Sequence, residues 1–108
     1  MTTYTFKPGD KWLYSWKVTG LSSYTGISAK SSIRSRPDGG PVVVGFTMSA
    51  TDNGDGTATI VQQLPVNDGL KLVPGTVYYF DIEITTSAFG PITSDTQRIK
   101  TLAKMTQD

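Results

Sequence analysis

The sequence predicts an all-β domain built as a sandwich, and three observations carry that prediction. Apolar and polar residues alternate with period two along most of the chain. Clusters of Gly, Pro, Asn and Asp break the alternation at short intervals, and no stretch holds a convincing helical repeat. With 108 residues, 37% of them hydrophobic, the chain is long enough for one domain with a core and too short for two, so residues 1–108 are read as a single domain.

Each element follows in order. A short run, "TYTF", leads. In "DKWLYSWKVT", Asp10 to Thr19, the side chains of Trp12, Tyr14, Trp16 and Val18 share one face, with Lys11, Ser15 and Lys17 on the other. Three rings on one face make this strand the expected anchor of the core, since each buries roughly 150 to 250 Å². In "ISAKSSIRSR", Ile27, Ala29, Ser31 and Ile33 alternate with Ser28, Lys30, Ser32 and Arg34. Its small inner residues suggest close approach to a bulky neighbour, and the tryptophan strand that precedes it is the expected pairing partner.

The turn cluster Pro37-Asp38-Gly39-Gly40-Pro41 separates this strand from "VVVGFTMSA", in which Val42, Val44, Phe46 and Met48 share a face. After "TDNGDG" the alternation resumes in "TATIVQQL", with Ala58, Ile60 and Leu64 set against Thr57, Thr59 and Val61. Two such runs around a glycine-rich polar break read as a β-hairpin or β-arc. Asn67-Asp68-Gly69 and Pro74-Gly75 bracket the short "LKLV". "TVYYFDIEITT" follows as the strongest strand signal, β-branched and aromatic almost throughout. Its expected core face is Tyr78, Phe80, Ile82 and Ile84, with Val77, Tyr79, Asp81 and Glu83 outward. "FGP" at 89–91 is read as a turn, and "ITSDTQRIKTLAKM" as a last strand with a helical alternative for its final turn. About seven strands spaced by turn signals point to an immunoglobulin-like sandwich, and the absence of cysteine rules out the antibody type.

Composition excludes several function classes. The chain has no cysteine and no histidine, which removes disulfides, thiolate sites, the usual zinc ligands and the Ser-His-Asp triad. Ten basic against nine acidic residues leave a net charge of +1; neither nucleic acid nor a membrane is expected as a partner. The N-terminal "MTTYTFKPGD" lacks the pattern of a secretory signal, no apolar run is long enough for a transmembrane helix, and synthesis as a soluble intracellular chain is expected.

Four stretches offer candidate sites. "TDNGDGT" offers Asn53, Asp55 and Gly56 where an EF-hand loop wants them, but Thr51 and Gln62 stand where its first and its bidentate carboxylates belong. A plain turn is the expectation, with no metal and no cofactor. Asp81 and Glu83 are two carboxylates about 7 Å apart on one strand face, a spacing met in inverting glycosidases. Glycosidase acids come from different elements across a cleft, so no catalytic residue is assigned and the chain is read as a non-enzyme. Arg34 and Arg36, with Lys30, make a small basic cluster suited either to a solvated strand edge or to an acidic protein partner. Tyr79, Tyr4 and Tyr24 are rings for a protein or sugar surface, with core burial expected for at least one. The candidate interface set is therefore Tyr4, Tyr24, Arg34, Arg36, Tyr79 and Asp81.

Read together, "FKPGDKWLYSW", "LSSYTGISAKSSIRSRPDG" and "PGTVYYFDIEI" resemble a family of small tailed-bacteriophage structural proteins, and are similar to the immunoglobulin-like N-terminal module of phage baseplate upper proteins. The matching positions are Phe6, Gly9 and Asp10, then Gly26, Ile33 and Arg34, then Gly75, Tyr78, Tyr79, Asp81 and Ile82. "VTGLSSY" replaces the family's Pro-x-Asp-Leu, and "KMTQD" stands where an Asp-Val-Thr ending is common. The resemblance implies a non-enzymatic virion part, an adaptor in tail, baseplate or neck, present in symmetric copies and held by other virion proteins. A capsid decoration (cement) protein and a carbohydrate or host-receptor binding module are the alternatives.

Overall fold

The structure, a computed structural model, describes residues 2–37, 40–88 and 90–102. Among the described residues nine strands and one short helix follow in order: β1 (Thr3–Phe6), β2 (Trp12–Val18), β3 (Ser28–Arg34), β4 (Val42–Gly45), β5 (Thr47–Asp52), β6 (Ala58–Leu64), α1 (Val66–Gly69), β7 (Val77–Thr85), β8 (Ile92–Thr93) and β9 (Gln97–Thr101). They form two sheets. The larger runs β1-β9-β7-β3-β4, with β8 also paired to β7; the smaller runs β2-β6-β5. β1 lies parallel to β9, and every other pairing is antiparallel. The fold is the expected all-β sandwich. Its strand order, β2-β6-β5 facing β9-β7-β3, matches the B-E-D and G-F-C order of immunoglobulin-type sandwiches.

Nine strands replace the expected seven because two runs divide. "VVVGFTMSA" begins in one sheet as β4 and ends in the other as β5, crossing at Phe46, whose N–H donates to the carbonyl of Ser31. Val44, Phe46, Met48 and Ala50 keep pointing inward through the crossing, so the alternation conceals the change of sheet. Val42, expected inside with them, is 51% exposed. The register slips between Ile33 and Arg34, leaving Val43 as the extra residue of a bulge, and a bulge turns the next side chain to the other face. The last run divides into β8 and β9.

A second correction concerns pairing. β3 does not pair with the tryptophan strand: it lies between β7 and β4, while β2 pairs with β6 in the opposite sheet. The small inner residue Ser31 does meet the tryptophans, but across the sandwich and through Gln62. A helical turn stands at α1, where a plain turn was expected. Gly69 is buried there, and a Cβ on it would stand 3.1 Å from the Phe6 ring. The turn expected at "FGP" includes Phe89 and the helical alternative falls at 103–108, both outside the described residues, as do Asp38 and Gly39 of the Pro37–Pro41 cluster.

The core holds Phe6, Trp12, Ile33, Val44, Phe46, Ile60, Leu64, Leu72, Tyr78, Phe80, Ile82 and Ile99. Of the three rings of β2, Trp12 is buried, Trp16 half-buried and Tyr14 exposed at its rim, so the strand contributes less burial than three enclosed rings would. At the start of β7 the Tyr78 hydroxyl accepts a hydrogen bond from the Val73 N–H at 2.9 Å. This is the geometry of a tyrosine corner, in which a ring at the strand F corner holds the backbone a few residues upstream. Two residues on, where antibody domains carry a disulfide cysteine, Phe80 meets Trp12 edge to face with centroids 5.7 Å apart. An aromatic contact joins the sheets where a disulfide would otherwise do so.

A buried polar chain also crosses the sandwich. Trp12 Nε1 and Trp16 Nε1 both donate to Gln62 Oε1, at 3.1 and 3.3 Å, and Gln62 Nε2 donates to Ser31 Oγ at 3.1 Å. Ser31 Oγ in turn donates to the Asp81 carbonyl at 2.6 Å. Gln62 is fully buried, and among the described residues no buried side-chain polar atom lacks a partner. The chain links β2 and β6 to β3 and β7 with directional bonds, which fixes how the two sheets sit.

Candidate functional site

Strand alternation sorts the candidate residues onto two surfaces. On the outer face of the larger sheet the register aligns Arg34 of β3 and Arg98 of β9 on either side of Tyr79 of β7. One step toward the N-terminus of β7, Lys100 stands beside Val77. In the other direction Asp81 pairs with Ser32, and Glu83 lies between Lys30 and Thr93. Successive rows are about 7 Å apart, so the basic side chains Arg34, Arg98 and Lys100 occupy one half of the face. The carboxylates of Asp81 and Glu83 occupy the other, with Lys30 beside them.

Arg34 is held in place: its Nη1 donates to the Gly40 carbonyl at 2.8 Å. Arg36 continues from it in an exposed loop, closed by the Ser35 N–H on the Pro41 carbonyl. Among the described residues, the ion pair is Lys71 with Asp68 at 3.2 Å; none joins Arg34 or Lys30 to Asp81 or Glu83. Lys30, Ser32, Arg34, Asp81 and Glu83 line a shallow depression of about 130 Å³ on the sheet. Asp81 and Glu83 therefore lie side by side on one strand of an open sheet, not across a cleft.

The expected interface residues divide accordingly. Arg34, Arg36, Tyr79 and Asp81 are brought to this face or its end. Tyr4 is not: it points between the sheets at the β1 edge, with Trp12, Tyr14, Trp16 and Phe80 rings 5.4 to 6.1 Å from its own. Its phenol pKa is raised, first by partial burial and then by the neighbouring Tyr14. Tyr24 is only 4% exposed. Its hydroxyl donates to the Val18 carbonyl and accepts from the Leu21 N–H, so it closes the β2–β3 loop from inside and has no surface to offer. Arg98 and Lys100 were absent from the expected set. Their signal was present in "QRIKT", where two bases flank the buried Ile99.

"TDNGDG" turns the chain. β5 and β6 pair from Thr47↔Gln63 to Asp52↔Ala58, and the loop between them closes with the Asn53 N–H on the Thr57 carbonyl. Gly54 and Gly56 take positive φ, 77° and 86°, which glycine adopts without a side-chain clash. The carboxylates are occupied locally: Asp52 accepts from the Gly54 N–H, and Asp55 from the Thr57 N–H and hydroxyl. The Thr57 hydroxyl is the main reason that the Asp55 pKa is lowered. Among the described residues no three His, Cys, Asp or Glu side chains stand close enough to hold a metal ion, and no helix is long and apolar enough to cross a membrane.

One end of the sandwich carries a feature the sequence did not announce. Leu70, Val73 and Leu102 are 55%, 58% and 43% exposed. Their contacts set all three at one end: Leu70 lies against Gly9, Thr101 Oγ1 donates to the Val73 carbonyl at 2.7 Å, and the Leu102 N–H donates to the Phe6 carbonyl at 2.8 Å. Exposed Val66 lies in α1 at this same end. At the opposite end a cleft of about 350 Å³ opens between the sheets, lined by Trp16, Val18, Ile60, Ile82 and Ile84 with Lys17, Thr19 and Ser94. No protein-family model matches the sequence. No curated protein matches it either.

Proposed function

We propose that this chain is a non-enzymatic structural module of a tailed-phage virion, an adaptor in the tail, baseplate or neck that is held by other virion proteins. The observation that carries the reading is the exposed apolar end formed by Val66, Leu70, Val73 and Leu102. Several exposed aliphatic side chains gathered at one end of a small domain suit a surface that is covered in an assembly. The resemblance in "FKPGDKWLYSW" and "PGTVYYFDIEI" supplies the kind of assembly. The first of these segments leads from Phe6 into the loop beneath that end, and the second contains the tyrosine corner above it.

The test is incorporation. Leu70→Asp/Val73→Asp changes mainly exposed side chains, so the variant should keep the native unfolding midpoint yet fail to enter particles when it replaces the native chain. Incorporation at native levels would remove the apolar end from the account. The open cleft with Trp16 favours the second reading, a carbohydrate or host-receptor module. Saturable glycan binding lost on Trp16→Ala would support that reading, and binding to virion proteins alone would count against it.

A further inference from the structure

We infer that the outer face of β9-β7-β3 is a self-complementary interface that joins two copies of this chain about a two-fold axis. The inference concerns the purified chain and does not rest on the virion reading.

The face is electrostatically divided along the strands. Its first half carries Lys100, then the row Arg98–Tyr79–Arg34; its second half carries Asp81, then Glu83 with Lys30 and Thr93 beside it. No ion pair within the face neutralises the two halves among the described residues. A two-fold axis lying in the plane of contact, perpendicular to the strands and between the rows of Tyr79 and Asp81, reverses strand direction while keeping each strand over its counterpart. The basic half of one copy then lies over the acidic half of the other. Tyr79 comes beside the partner's Asp81, where its hydroxyl has a carboxylate to donate to. Arg34 and Arg98 flank that contact on both sides, and Lys100 comes to the row of the partner's Glu83.

The same operation applied to the reverse pairing gives the same contacts, which is the condition for a closed isologous dimer. A shift of one row in either direction would set Arg34 and Arg98 over their own counterparts or leave Lys100 unpaired, so the charges also fix the register. Arg34 is already oriented by its bond to the Gly40 carbonyl, which lowers the ordering cost of using its remaining donors. Three strands at about 4.8 Å spacing and the nine residues of β7 give a face on the order of 15 by 30 Å, below the about 800 Å² per partner of a standard interface and in keeping with a weak, salt-sensitive dimer. Its central ring, Tyr79, is the residue type enriched at such centres.

The experiment is sedimentation equilibrium of the full chain at low and high ionic strength, with two charge-reversed variants. Arg34→Glu/Arg98→Glu leaves the face predominantly acidic, with Lys100 and Lys30 as its remaining bases, and Asp81→Lys/Glu83→Lys makes it basic throughout. The native chain should dimerise at low salt and dissociate as salt rises. Each variant alone should dimerise at least about tenfold more weakly, and an equimolar mixture of the two should recover a heterodimer. That recovery also shows that both variants are folded. A native chain that stays monomeric at low salt would overturn the inference. So would a dimer indifferent to salt and to both reversals, since the apolar end would then be its seat.

Discussion

Removing the Ser31 hydroxyl isolates the polar chain that crosses the core. In Ser31→Ala the Gln62 amide, fully buried, keeps its two indole donors but loses the acceptor of its Nε2. An unsatisfied buried donor costs about 1–3 kcal/mol. At about 4–8 °C per kcal/mol for a domain near this size, the melting temperature should fall by roughly 10 °C. Gln62→Leu should cost about as much, because it leaves the Trp12 N–H without an acceptor in the core while Trp16, half-buried, can turn to water. The two losses are not independent. Once Gln62 is leucine, Ser31→Ala removes only the bond to the Asp81 carbonyl, worth about 0.5–1.5 kcal/mol. Urea unfolding of both single variants and the double variant, followed by tryptophan fluorescence, should therefore give a coupling of about 1 kcal/mol, well outside the ~0.3–0.5 kcal/mol scatter of independent sites. A Ser31→Ala variant within about 0.5 kcal/mol of the native chain, or strict additivity, would refute the claim that the chain of bonds joins the sheets.

Three further outcomes are expected. Tyr78→Phe removes the acceptor of the Val73 N–H and should cost about 0.5–1.5 kcal/mol by denaturant unfolding; no change would mean that the corner does not hold the β6–β7 connection. Gly69→Ala sets a methyl 3.1 Å from Phe6 Cζ and should destabilise by about 1–3 kcal/mol through overpacking, whereas an unchanged midpoint would show that Phe6 gives way freely. For Asp55, a folded pKa below the unfolded one means that its contribution is present above the unfolded value, near 4, and is lost as pH falls through the folded value. Carboxyl NMR titration of Thr57→Val should show that pKa move up toward the ordinary range, and an unmoved titration would contradict the assignment of its cause.

Much of the fold was legible because burial on one side of a strand imposes period two. In β6 the buried residues are Ala58, Ile60, Gln62 and Leu64, and in β7 Tyr78, Phe80 and Ile82. Pairing was not legible, since alternation says which side of β3 faces inward and nothing about which strand lies beside it. Phe46 hid a change of sheet for a related reason: the strand crosses while its inner face stays inner. In the sequence Gln62 stands out only as the residue at an EF-hand's carboxylate position, because its role depends on two indoles and a serine brought together from β2 and β3. Tyr24 and Tyr79 show the same limit at the candidate site. Tyr24 stands amid polar residues and Tyr79 between Tyr78 and Phe80, yet the first hydroxyl closes a loop within the core and the second ring lies between two arginines on the sheet face. Arg98 and Lys100 became part of that face only when β9 was placed against β7.

The proposal that this chain is an adaptor built into a virion is met most directly by counting its copies, relative to the major capsid protein, in purified particles produced from the genome that carries it. An adaptor is expected at a small multiple of three or six, on the order of ten copies, as tail or neck symmetry requires. Copies on the order of hundreds would follow the symmetry of the head lattice and make the chain a decoration protein, and its absence from the particles would contradict the virion reading altogether.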